Sequence, residues 1–333
     1  MYLKIRIHRR VMLKSPETST HSNKIIFGLF LIFNHTASFV CAESSIKKSE
    51  STQYEESFLF INIDKSQRSA TIQTLPSPEN PSHQATLHSF TVSFGKSQGD
   101  KQKEGDNKTP EGLYFARPHI SGKNLLQSKY GPQAIPLNFP NPIDKFQKKT
   151  GHGIWLHGAG DDRRMDKIFV TEGCVAFYNK DMIEVSQFIK PYQTLVSISK
   201  TASTVNTQKS IAALHQKTLS WLHAWRTRDL ESYFSFYHPD FNGKGKNLKK
   251  YKVYKSRVFR SYKKIALNIE DLHIITHEKY AMSIMNQDFR GDQRFTSEGR
   301  KVLYWLKTNG VWQIIRESFN HRRFIPTRLE TSI

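Results

Sequence analysis

Residues 151–182 read GHGIWLHGAGDDRRMDKIFVTEGCVAFYNKDM. GIWLHG is a short apolar strand that ends at Gly158, and DMIEVSQFI, 181–189, carries a helical period, so the segment enters through a strand and leaves through a helix. Between them stand His157-Gly158 and Gly173-Cys174, with 17 residues from histidine to cysteine. A thiol of pKa ~8.5 is only a few per cent thiolate at neutral pH. An imidazole within hydrogen-bond reach takes the proton during attack and returns it to a leaving amine. Its second ring nitrogen then needs an acceptor to fix the tautomer, and the Gly158 carbonyl is available for that. Gly173 lets the backbone approach a substrate closely, and the amides around Gly173 and Cys174 are natural oxyanion donors. His152 is a second candidate base. No His-x-x-x-His pair or carboxylate cluster surrounds Cys174, so neither a metal nor another cofactor is expected.

The N-terminus bears on that thiol. Lys4, Arg6, Arg9, Arg10, Lys14 and Lys24 precede IIFGLFLIFNHTASFVCA, 25–42, whose apolar core is short for a membrane span and ends in small residues. This reads as a secretory signal peptide, 1–42, cleaved after Ala42, with Met12 as an alternative start. Export to the periplasm follows. Of the 2 cysteines, Cys41 leaves with the leader, and Cys174 stays as a solitary thiol in an oxidising compartment. Catalysis is the usual reason such a thiol is kept; a buried inert cysteine is the plain alternative.

The 333 residues fit two domains. The 22 Phe, 13 Tyr and 5 Trp exclude a disordered chain, and two cysteines exclude a disulfide scaffold. ESSIKKSESTQYEES, 43–57, reads as a linker. FLFINIDK, SATIQTL, HSFTVSFG and QTLVSISK read as strands, with a proline-rich turn at 76–81, a polar loop over 95–112, and a proline-rich stretch at 131–143 that is expected to be neither helix nor central strand. The first domain, 58–200, is therefore mainly β with one or two helices. After a Thr/Ser-rich linker, 201–209, the pattern changes. Ile211, Leu214, Thr218, Trp221, Leu222 and Trp225 repeat at helical spacing, a short helix runs into a turn over 233–241, and four strands follow, the last two joined at Asn309-Gly310. This second domain, 210–322, is helix first and curved antiparallel sheet after, with a tail at 323–333. Trp221, Trp225, Tyr233, Trp305 and Trp312 are expected mostly in its core, with Tyr237, His238 or Arg316 as candidate pocket residues.

GDNKTPEGLY (105–114), PLNFPNPIDKFQKKTGHGIWLHG (136–158) and TEGCVAFYN (171–179) together resemble the catalytic domain of the L,D-transpeptidases (YkuD-like), whose motif is His-Gly, a gap, then Ser/Thr-x-Gly-Cys. The resemblance covers roughly 55–200. It implies a β-rich sandwich-like domain and an acyl-enzyme formed on a peptidoglycan stem tetrapeptide at the bond between diaminopimelate and the terminal D-Ala. It implies Cys174 as nucleophile, His157 as base, Gly158 as carbonyl partner, and Gly173 and Thr171 as the motif's oxyanion turn. Trp155, Tyr178 and Asn179 flank these positions as substrate-binding candidates. Many members carry Arg two residues after the cysteine, where Ala176 stands here, so Arg163, Arg164 or Lys167 is expected to substitute. The second half resembles the nuclear-transport-factor-2-like (SnoaL-like) class, an α+β cone. The pairing is similar to exported cell-shape enzymes that include L,D-carboxypeptidases, in which water takes the acyl group. The expected activity is transpeptidation, with carboxypeptidation or a non-catalytic wall-binding module as alternatives.

Formal net charge is +21, of which 201–333 carries 24 Lys and Arg against 11 Asp and Glu. Residues 244–264 hold ten positive charges and no acidic residue. Such a face fits an anionic wall polymer or an acidic membrane surface; the export signal argues against nucleic acid.

Overall fold

The computed structural model describes residues 53–75, 85–202, 208–278, 280–292 and 294–331. The expected leader 1–42, residues 43–52 of the linker, the turn at 76–81 and most of the linker at 201–209 lie outside them. In chain order the first half runs β1 (Gln53–Ser57), β2 (Leu59–Asp64), β3 (Ser69–Thr74), β4 (Thr86–Gly95), β5 (Gly112–Phe115), β6 (Ile120–Ser121), α1 (Gln127–Tyr130), β7 (Gln133–Pro136), α2 (Pro142–Phe146), β8 (Trp155–Gly158), β9 (Phe169–Thr171), β10 (Val175–Phe177), α3 (Asn179–Gln187) and β11 (Leu195–Ser199). All six residues of β2 are buried, the polar Asn62 and Asp64 included; the strand lies between β11, parallel, and β3, antiparallel. The sheet has the order β5-β11-β2-β3-β4-β10-β8-β7-β6, with β9 added beside β4. This is the mainly β architecture expected.

The proline-rich stretch departs from expectation. Gln133–Pro136 is strand β7, inside the sheet between β8 and β6, because its prolines fall before the strand and at its last residue. Pro142 opens α2 at the first helical position, where no N–H is needed, and Asn141 and Asp144 close a capping box around it.

The second half adds α4 (Gln208–Thr227), α5 (Leu230–Ser235), β12 (Asn242–Gly243), β13 (Lys246–Asn247), α6 (Leu248–Ser261), β14 (Ile265–Thr276), β15 (Tyr280–Gly291), β16 (Phe295–Thr308), β17 (Val311–Asn320) and β18 (Thr327–Thr331). β14 to β17 form an antiparallel meander. Asn309 and Gly310, with φ of 50° and 79°, make the two-residue turn between its last strands. Ile211, Leu214, Thr218, Trp221, Leu222 and Trp225 are all buried, as are Tyr233, Trp305 and Trp312. The expected tail is not plain coil: β18 pairs with β1 in a separate two-stranded sheet.

The two halves share a core. Phe58, Phe60, Leu113, Phe115 and Leu195 pack in one cluster with Ile275, Tyr280, Met282, Val302 and Tyr304. There the Tyr280 hydroxyl accepts from the Leu113 N–H and from Asn141 Nδ2. The C-terminal half also encloses a cavity of about 310 Å³ lined by Trp225, Tyr251, Lys255, Lys301 and Glu317, among others, and not by Tyr237, His238 or Arg316. Lys301 meets Glu317 at 2.6 Å, and Lys255 lies 3.5 Å from the centroid of the Trp225 ring. One of the ten cations of 244–264 thus points inward.

Candidate active site

Cys174 sits between a tight turn and a buried strand. The Thr171 hydroxyl donates to the Cys174 carbonyl at 2.8 Å and accepts from the Gly173 N–H at 3.1 Å. Thr109 Oγ1 reaches the same carbonyl at 3.4 Å. Gly173 has φ of 126°, and a Cβ there would stand 2.9 Å from the Lys108 carbonyl oxygen, so only glycine fits. The Gly173 amide is therefore spent on Thr171, and both residues shape the turn that presents Cys174.

The sheet register places the imidazole. β10 runs parallel to β8 with Ala176 opposite His157 and Val175 opposite Leu156. Since side chains alternate along a strand, Cys174 and Ala176 share a face with Trp155 and His157. His157 Nδ1 lies 2.6 Å from the Gly158 carbonyl, which can only accept. The proton is therefore on Nδ1, and Nε2 carries the lone pair. The thiol donates to the Gly153 carbonyl at 3.3 Å, not to the imidazole. The edge of His157 meets the Tyr130 ring at 5.1 Å between centroids, and Tyr130 leans on Trp155 at 5.0 Å.

Burial sets the electrostatics. It pushes the Cys174 thiol up to about 11, against the pull of the Trp155 amide and the Lys129 charge. It pushes the His157 imidazole down to about 4, with the Gly158 contact opposing and the Arg164 and Lys129 charges assisting. The thiol and the imidazole therefore both rest uncharged near neutral pH.

Both side chains open into one cavity of about 650 Å³. Its wall includes Trp155, Thr171 and Arg164 together with Lys96, Lys101, Lys129, Tyr130, Glu104, His152 and Glu172. Arg164 spends its guanidinium on the carbonyls of Lys129, Ala159 and Val170. Arg163 turns to Asp161 and to solvent, with 88% of its side chain exposed. Asn179 staples the loop before it, donating to the Gly160 carbonyl at 3.0 Å, and Tyr178 packs near Met165 and Ala176. These three residues and Lys167 lie outside the cavity wall. His152 reaches Glu104 at 3.4 Å on the exposed rim. Lys129 and Tyr130 escaped sequence reasoning, because α1 is a four-residue helix without periodicity and only tertiary folding brings it to the cysteine. Among the described residues no group of His, Cys, Asp and Glu is placed to hold a metal ion.

The family model of the L,D-transpeptidase catalytic domain matches residues 62–198, and that of the Cds6 C-terminal NTF2-like domain matches residues 213–318. YafK of Escherichia coli (strain K12), whose name assigns it provisionally to the L,D-transpeptidases, is 33% identical over 93 residues. That stretch is 27% of this chain and 32% of that protein, so the chain spans about a third of the length of this relative. The structure of Bdellovibrio bacteriovorus Bd1075 matches with a TM-score of 0.68 at 28% identity, over 79% of this chain and 92% of that one. The helical cell shape determining protein Pgp2 from Campylobacter jejuni shares the fold, with a TM-score of 0.65 at 23% identity over 80% of this chain and 93% of that one. Residues 62–198 thus match the L,D-transpeptidase catalytic domain, and a stretch that matches an NTF2-like domain, residues 213–318, follows it.

Proposed function

We propose that this chain is an exported, peptidoglycan-modifying L,D-transpeptidase that works through a Cys174 acyl-enzyme. The observation that carries the reading is the common cavity: a solitary thiol and a tautomer-fixed imidazole face it from adjacent parallel strands. Cys174 Sγ turns from the Gly153 carbonyl and attacks the carbonyl between diaminopimelate and the terminal D-Ala of a stem tetrapeptide. His157 Nε2 takes the thiol proton as the C–S bond forms, and the Cys174 amide faces the developing oxyanion. His157 then gives that proton to the departing D-Ala amine as the C–N bond breaks, leaving a thioester. An amine of a second stem attacks the thioester, His157 accepts its proton, and the thiol is restored.

Hydrolysis of the same thioester gives a carboxypeptidase. The pairing with an NTF2-like domain, which resembles that of exported cell-shape enzymes that include L,D-carboxypeptidases, favours this second outcome. The exposed cations of 244–264 support association with an anionic wall polymer or acidic lipid surface. The test is to incubate purified protein with disaccharide-tetrapeptide and resolve the products by mass. A crosslinked dimer supports transpeptidation and tripeptide alone supports carboxypeptidation. Neither product, with Cys174 inert to alkylation, would leave only a wall-binding module.

A further inference from the structure

The cavity wall carries one pair of opposite charges whose side chains partner each other across it. Lys129, on α1, meets Glu172, two residues before Cys174, at 3.3 Å. The other charges of the wall are otherwise engaged or stand apart. Lys101 is buried against Asp106 at 2.7 Å, Glu104 faces His152, and Arg164 is held by three backbone carbonyls. Lys96 remains as a cation outside the pair. The Lys129–Glu172 pair is loose and wet, with 45% and 63% of the two side chains exposed. Exposed pairs of this kind contribute little stability, so a ligand opens it at little cost.

We infer that the Lys129–Glu172 pair is the specificity element for the side chain of the acyl-donor residue, and that it selects a side chain ending in an ammonium and a carboxylate on one carbon. The inference rests on the functional reading above and deepens it. The residue whose carbonyl is bonded to Cys174 projects its side chain from within a few atoms of Glu172. A zwitterionic end inserted between the two groups gives its ammonium to Glu172 and its carboxylate to Lys129, replacing one loose pair by two. Tyr130 and Trp155 flank the methylene stem. A lysine in the donor position has the ammonium alone and satisfies only Glu172.

The test compares kcat/KM for disaccharide-tetrapeptides carrying diaminopimelate or lysine at the third position. The wild type is expected to prefer diaminopimelate by roughly tenfold or more, the scale of one hydrogen bond to a charged group. Lys129→Met collapses that preference, and Lys129→Arg restores most of it. Glu172→Gln lowers both substrates together and keeps the preference. Lys96→Met, which removes a cavity cation outside the pair, also keeps it. A merely structural role for Lys129 would lower both substrates alike. Turnover with the preference unchanged in Lys129→Met, or lost in Lys96→Met, would overturn the inference while the functional reading stands. No turnover of either peptide by the wild type would overturn both.

Discussion

The neutral resting state of the Cys174–His157 pair can be tested through the chemistry of the sulfur. The thiol is pushed up to about 11 and the imidazole down to about 4, so no thiolate–imidazolium pair is stored before substrate binds. At a pH of about 7.5 a thiol titrating near 11 is ionised to about one part in 3,000, against roughly one in ten for an ordinary cysteine. The more basic thiolate is the better nucleophile by about a factor of ten over that difference, at a Brønsted slope of 0.4–0.5. Together these make alkylation by iodoacetamide about 20- to 30-fold slower than that of a free cysteine peptide at the same pH. The slope is the cleaner readout: the rate constant should rise about tenfold per pH unit between roughly pH 6 and 10, because only the thiolate reacts. His157→Gln should leave that slope in place while abolishing turnover, since the imidazole acts during attack and not before it. A rate that is already flat above about pH 7, and that loses its plateau in His157→Gln, would refute the reasoning by showing a preformed ion pair.

Three further variants probe the scaffold. Thr171→Val keeps the shape but removes the hydroxyl that joins the Gly173 N–H to the Cys174 carbonyl; it should cost about 1–3 kcal/mol in urea unfolding and lower kcat more than it raises KM. Tyr280→Phe strands the buried Leu113 N–H where the two halves meet, for a similar loss of about 1–3 kcal/mol read by the same method, and a neutral result would deny the shared core its polar anchor. Lys255 titrates at about 7 when folded, against 10.5 in the unfolded chain, so the unfolded state binds the extra proton between these values and stability rises with pH across that window. Lys255→Met should therefore raise Tm most below about pH 7 and least above about pH 10, and a gain that does not vary with pH would contradict the burial of that charge.

How much could be read from the chain depended on whether neighbours in space were neighbours in sequence. FLFINIDK announced β2 because that strand is buried on both faces, and Trp221 and Trp225 announced α4 because one face of it repeats. Asn309-Gly310 marked its hairpin for a backbone reason. His157 and Cys174 stood out because each abuts a glycine with a structural duty. The proline-rich stretch misled, since Pro136 and Pro142 occupy the few positions where strand and helix accept proline. Lys129 and Tyr130 carried no local signal; the sheet turns α1 toward β8. The shared core was hidden for the same reason, because Phe115 and Tyr304 look like ordinary strand residues until their strands meet. Lys255 sits among exposed lysines of α6, and only the position of Trp225 shows it to be buried.

The central claim is that Cys174 becomes the carrier of an acyl group taken from a stem peptide. The most direct measurement mixes the protein with disaccharide-tetrapeptide, quenches in acid within the first turnover, and maps the adduct by peptide mass while D-Ala is assayed. The account predicts a tripeptidyl thioester on the peptide that contains Cys174, with D-Ala released in equal amount and both lost in Cys174→Ala. Turnover at the wild-type rate by Cys174→Ala, or D-Ala release with the acyl group on another residue, would contradict it.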